Sequence, residues 1–214
     1  MIVRRGKDVD VDALEYSVPK QSVMGGQTVY VELNNDPIIV QTPRCSVPFG
    51  LNVYNPLSGG PSKYSIDLSL NGNTETTSAF IEMLQKFDEK NVEQACKGAA
   101  QWFGRRVSKD TINDIYSHQL KTSDNHSPRL RVKLPTRGTD FTGDIFDHHN
   151  NAVELDAITK GCTVQAILQC VGLYFVPKEF GVTWKVLQLK VFPPQKLVQY
   201  SFVDDDDEDD AEKV

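Results

Sequence analysis

Ile158–Phe192, ITKGCTVQAILQCVGLYFVPKEFGVTWKVLQLKVF, carries the pattern that decides the fold. From Cys162 to Val176 the even positions read Cys, Val, Ala, Leu, Cys, Gly, Tyr and Val. The odd positions begin polar, with Thr163 and Gln165, and turn apolar at Val171, Leu173 and Phe175. Period-two alternation of this length predicts one long strand, with one face buried at its start and both faces covered at its end. Pro177–Gly181, PKEFG, then has the chemistry of a turn. A second β-rich run follows, with apolar residues on even positions through Val186 and on odd positions from Leu187 to Val191. Such a change of face predicts a bulge or a sharp bend, the device that curls a sheet into a barrel.

Upstream, Pro128–Pro135 reads PRLRVKLP. Alternation sets Leu130, Val132 and Leu134 on one face and Arg129, Arg131 and Lys133 on the other, three cations side by side with no intervening acid. Tyr64, Ile66, Leu68 and Leu70 line one side of another strand, opposite Lys63, Ser65, Asp67 and Ser69. Between these strands the period becomes helical: Phe80, Leu84, Phe87, Ala95, Ala99 and Trp102 predict two helices, or one kinked near Asp88–Asn91, between Thr77 and Phe103. Ser108 is placed to cap a further short helix. Toward the N-terminus, Thr28–Leu33 and Ile38–Gln41 flank an Asn34-Asn35-Asp36-Pro37 turn. Cys45–Tyr54 reads as an edge strand or loop because of Pro48, and Asn55–Pro61 as a loop.

Composition bounds the class. The 214 residues suffice for one well-buried domain with a tail. No run approaches the ~20 apolar residues of a membrane span, so no membrane partner is expected. The N-terminal MIVRRGKDVDVD lacks the apolar core of a secretory signal, and the four cysteines show no CxxC pair. Cys162 and Cys170, on one strand, would lie roughly 26 Å apart and could not bridge. These features predict an intracellular protein with reduced cysteines.

The net charge of −6 is concentrated at the end, where Asp204, Asp205, Asp206, Asp207, Glu208, Asp209 and Asp210 form an unbroken acidic run. The expected organisation is a domain over residues 1–203 and a disordered acidic tail over 204–214. Gly143–Asn151, GDIFDHHNN, offers Asp144, Asp147, His148 and His149, but adjacent histidines point apart and no further ligand cluster completes a metal site. No nucleophile–base constellation or phosphate loop is present, so neither catalysis nor a cofactor is expected.

Short strands, a helical insertion and then long curling strands predict a mainly β, Greek-key barrel of the oligonucleotide-binding (OB) type. Such barrels hold single-stranded nucleic acid in a cationic groove with aromatic stacking platforms. The candidate cations are Arg129, Arg131, Lys133, Arg137, Lys160, Lys185 and Lys190. The candidate platforms are Tyr54, Tyr64, Tyr174, Phe175 and Trp184, about half of them expected in the core, Trp184 among these.

The run TKGCTVQAILQCVGLYFVPKEFGVTWKVLQLKV, preceded by RLRVKLP and followed by the acidic tail, resembles the single-stranded DNA-binding proteins of nucleocytoplasmic large DNA viruses. These are similar in turn to OB-fold replication proteins of podovirus-type phages. The resemblance is specific over about residues 128–192 and implies a protein that coats single-stranded DNA during replication, recombination and repair. It also implies a tail that contacts polymerase or helicase and competes with DNA, in the host nucleus or at a cytoplasmic viral replication site; a homodimer is compatible with it. The phage tails end in an aromatic ring, whereas the aromatic nearest this acidic run is Phe202, ahead of it. Two other readings remain: an acidic-tailed β chaperone of basic proteins such as histones, which leaves the cationic strand unused, and a nuclease built on Asp144, Asp147, His148 and His149.

Overall fold

The computed structural model describes residues 2–21, 26–57, 59–138 and 140–194. Its spine is the predicted hairpin. We number the five barrel strands in chain order: β1, Cys45–Ser46; β2, Lys63–Ser69; β3, His126–Leu134; β4, Thr163–Val176; β5, Glu179–Phe192. β4 and β5 pair antiparallel along their whole length, from Thr163↔Phe192 to Val176↔Glu179.

The expected departure from a flat ladder is present, together with a second that the alternation did not signal. Between Ile167↔Gln188 and Leu168↔Val186 the register skips Leu187, where the apolar parity of β5 changes. Consequently Trp184 and Val186 face the core before this bulge, and Leu189 and Val191 after it. A second bulge, at Val171 between Cys170↔Trp184 and Gly172↔Thr183, turns Leu173 inward and moves Tyr174 and Val176 off the buried face. The alternation read through to Val176 therefore ends at Cys170. Gly172 sits at φ +125°, and a Cβ there would lie 2.4 Å from the Val29 carbonyl oxygen. Only glycine permits that backbone and that approach.

Closure follows from non-local pairs. β1 pairs antiparallel with β4 (Thr163↔Ser46, Val164↔Cys45) and with β2 (Ser69↔Ser46). β2 and β3 pair antiparallel from Tyr64↔Leu134 to Ser69↔Arg129. β3 meets β5 in parallel at Lys133↔Lys185. The cyclic order 1-2-3-5-4 closes the sheet, and the fold is a mainly β, OB-type barrel with a helical insertion between β2 and β3. The residue stretch read as an edge or loop supplies β1, two residues long, and then the strand Asn52–Tyr54, which extends β2 at its edge.

The interior is formed by inward positions of all five strands, among them Ile66, Leu68, Leu130, Val132, Val164, Leu168 and Val186. α1, Glu75–Lys97, starts at Thr74, whose hydroxyl accepts from the Thr77 N–H. It buries Phe80, Met83, Leu84 and Phe87, and the Phe87 ring stands edge-on to Trp184 at 5.9 Å. The break in the helical region falls at Gly98, before α2, Ala99–Phe103, rather than at Asp88–Asn91. The polar character of Asp88 and Asn91 has another origin. Both are buried, and Asp88 accepts hydrogen bonds from Tyr116 Oη (2.6 Å) and from the backbone and side chain of Gln119 (3.1 and 2.7 Å). Ser108 caps α3, Lys109–Ile115, as expected.

Toward the N-terminus, Val31–Leu33 and Asp36–Pro37 form a hairpin through Asn34 and Asn35, both at positive φ. Gln27–Val29 and Ile39–Gln41 instead extend the sheet along β4. All four cysteines are free. Among the described residues no helix is long and apolar enough to cross a membrane.

Candidate nucleic-acid interface

The outward face of β2 and β3 collects the predicted cationic strand and its surroundings. Directly opposed residues share a face, so Lys133 lies beside Ser65, Arg131 beside Asp67 and Arg129 beside Ser69. One row continues in both directions, from Asn52 through Ser65, Lys133 and Lys185 to Gln169. It carries donors at every step, and the Asn52 side-chain nitrogen is buried without a partner. Lys63 stands one diagonal away, opposite Tyr54, which is 59% exposed.

The electrostatics differ along β3. Partial burial, with Lys63 nearby, lowers the Lys133 pKa, and among the described residues its ammonium has only the Thr183 hydroxyl, at 3.4 Å, as an acceptor. Among the described residues no carboxylate pairs with Lys63, Lys133 or Lys185. A low-capacity acceptor environment and mutual repulsion make this cluster favourable for an anion. Arg131 is different. It forks onto the buried Asp67 with bonds of 2.8 and 3.0 Å, which raise its pKa and leave the centre of the face close to neutral. Arg129 places its guanidinium 5.2 Å from the centroid of Phe49, a ring 51% exposed on the loop after β1.

The remaining candidates divide. Lys160 is exposed, with its backbone packed against Gly50, next to Phe49, so it joins the rim of the same face. Arg137 is exposed on a small hairpin, Thr136–Arg137 with Asp140–Phe141, beyond the end of β3. Lys190 lies far along β5, donating to Asn150 Oδ1 at 2.6 Å.

Of the aromatic candidates, Tyr54 alone is both exposed and on the cationic face. Trp184 is interior, 2% exposed, and its indole N–H donates to Gln119 Oε1, so it is core and not a platform. Phe175 is likewise removed from the platform set: it stacks on Phe180 at 5.4 Å and meets Trp102 and Phe103 edge-on, a second layer that the strand pattern alone does not reveal. Tyr64 is half-buried on the core side of β2, and Tyr174 is half-buried with its hydroxyl donating to Glu179. Asp147, once a candidate ligand, accepts from the His149 and Asn151 backbones and holds its own turn. The tail candidates Asp204–Asp210 lie outside the described residues.

Sequence reasoning missed Phe49, Asn52 and the clustering role of Lys63. The outward parity of Lys63 was legible, whereas Phe49 sits in a loop with no period to place it.

Comparison with known structures supports the fold. The single-stranded DNA-binding protein gp2.5 of bacteriophage T7 is 10% identical, covers 83% of this chain and 98% of its own, and superposes with a TM-score of 0.51. The single-stranded DNA-binding protein of bacteriophage Enc34, solved with single-stranded DNA, is 17% identical over 85% of this chain and 98% of its own, with a TM-score of 0.46. An uncharacterized protein of Acanthamoeba polyphaga mimivirus, L291, is 26% identical over 176 residues, 78% of this chain. This chain spans 28% of that relative's length. Residues 67–204, more than half of the chain and all of its barrel strands from β3 onward, match DUF5871, a family of unknown function, and the chain belongs to that family.

Proposed function

We propose that this protein binds single-stranded DNA, with little sequence preference, across the outward face of β2 and β3, and coats it during viral replication, recombination and repair. The observation that carries this reading is the cluster of Lys63, Lys133 and Lys185. These three cations are brought together from three strands without a described carboxylate partner, beside the exposed ring of Tyr54, with the exposed Phe49 ring farther along the same face against Arg129. Ammonium groups held this way favour phosphate, and rings beside them suit unstacked bases of any identity. The face between the second and third strands is also where OB barrels bind oligonucleotides.

The phage T7 protein, which has the same fold, is a single-stranded DNA-binding protein, and the mimivirus relative supports a viral origin. The proposal extends to the acidic run Asp204–Asp210 as a contact for polymerase or helicase and a tethered competitor for the cationic face. Its place of action would be the host nucleus or a cytoplasmic viral replication site.

Fluorescence anisotropy with a labelled oligonucleotide, single-stranded and as a duplex of equal length, tests the reading. Single strands should bind at least about tenfold more tightly, because stacking needs exposed base faces. Equal affinity for the duplex overturns it.

A further inference from the structure

The cross-strand register defines a second outward row at the other end of β2. Arg129 of β3 is level with Ser69 of β2, Ser69 with Ser46 of β1, Ser46 with Thr163 of β4, and Thr163 with Phe192 of β5. Each end of this row is a cation set over a ring. At one end Arg129 lies 5.2 Å from the Phe49 centroid; at the other the Arg44 guanidinium lies 4.2 Å from the Phe192 centroid, with Lys190 Nζ at 5.8 Å. The residues between are small and hydroxylated, Ser46 and Thr163 half-buried and Ser69 buried. Arg44 is exposed, and no described carboxylate pairs with it.

The row does not simply encircle the barrel. The direct β3–β5 bridge, Lys133↔Lys185, sets Arg129 level with Gly181, whereas the path through β2, β1 and β4 arrives at Phe192. That stagger along β5 means the row climbs the barrel lengthwise. Four strand spacings make it ~19 Å long. At ~3.4 Å per stacked nucleotide that accommodates about five.

We propose that Arg44 and Phe192 form a second base-stacking and phosphate-binding subsite, and that one DNA strand runs from the Phe49–Arg129 pair across Ser69, Ser46 and Thr163 to reach it. This rests on the single-stranded DNA reading above and assigns that reading a path and a length. A guanidinium set over a ring offers a charge to phosphate, and ring and guanidinium alike offer a planar surface to a base, whichever base it is. Strands too short to span the row engage one end and gain nothing from the other.

The test uses the full chain and oligo-dT of about four and about fifteen nucleotides, the range of site sizes of single OB folds. Phe192→Leu keeps apolar bulk without the ring, and the exposed Arg44→Gln removes charge without opening the core; melting temperatures verify that both remain folded. Phe192→Leu should weaken the long strand about 5- to 150-fold, and Arg44→Gln should lower its salt slope by ~0.7. Both should weaken the tetranucleotide less than the long strand, in a titration where Phe49→Leu weakens both lengths. Long-strand affinity and slope unchanged in both variants, or equal losses at both lengths, overturn the subsite while leaving the DNA-binding reading in place. Failure of the unmodified protein to bind either length overturns that reading and the subsite with it.

Discussion

Three neighbouring cations on one strand face have three different fates. Arg129 lies over a ring, Arg131 is spent on Asp67, and Lys133 is held among other lysines. The alternation of Arg129, Arg131 and Lys133 made them equivalent, and their cross-strand neighbours made them distinct. Single alanine substitutions should therefore differ in what they do to stability. Arg131→Ala strips the partner from an Asp67 side chain that is only 8% exposed. It should cost about 1–3 kcal/mol of folding stability, because a buried acceptor loses its donor, and weaken DNA binding as well, because the uncompensated carboxylate at the centre of the face repels phosphate. Lys133→Ala relieves desolvation of the ammonium and repulsion from Lys63, so stability should hold or rise. DNA affinity should fall, with the salt slope smaller by ~0.7. Urea denaturation alongside anisotropy titration checks both; a Lys133→Ala protein with unchanged affinity and slope would place the phosphate elsewhere.

At the scale of elements, the two bulges make a flat hairpin into a barrel wall. Each inserts one residue, bends its strand and reverses which parity faces inward. The bulge at Leu187 keeps Val186 and Leu189 both buried although their spacing is odd. The bulge at Val171 brings the Gly172 backbone against Val29, where the N-terminal strands join β4. Gly172→Ala should be costly out of proportion to one methyl group. The left-handed φ and the contact with a carbonyl oxygen should together remove at least ~1–3 kcal/mol, read as a lowered melting temperature. An unchanged melting temperature would mean that the backbone at Gly172 can relax away from Val29. The length and parity of β4–β5 also explain why this hairpin can pair along its edges with three separate segments on either side.

At the scale of the whole molecule, the barrel and the helical insertion share one continuous core. Cys45, Cys162 and Cys170 lie inside it, while Cys96 on α1 is half-buried. Desolvation pushes the thiols of Cys45 and Cys170 up to about 12 and raises that of Cys162 as well. A thiol whose pKa is raised holds less reactive thiolate at any pH below that value, so these three should resist alkylation in the folded state. Iodoacetamide labelling at mildly alkaline pH followed by peptide mass analysis should modify Cys96 first, and all four only after denaturation. Early labelling of Cys170 would contradict a closed junction between β4, β5 and the N-terminal strands.

The sequence by itself determined what depends on neighbours within a few residues. Period-two alternation located β2, β3, β4 and β5, the parity change at Val186–Leu187 located a bulge, and the cap at Ser108 located a helix start. The outward faces of β2 and β3 were also legible, because alternation assigns a face to every residue of a regular strand. Tertiary structure alone decided what depends on contacts distant in the chain. Trp184 reads as core from its parity but without its partners, and Phe175 stays among the candidate platforms, until Phe87, Trp102, Phe103 and Phe180 arrive from other elements to cover them. The meeting of Lys133 and Lys185 depends on a single parallel bridge that closes the barrel, and Phe49 reaches the cationic face only because β1 closes it from the other side. Periodicity gives each strand its two faces; which faces become neighbours is set by barrel closure and stagger, and these are properties of non-local pairing.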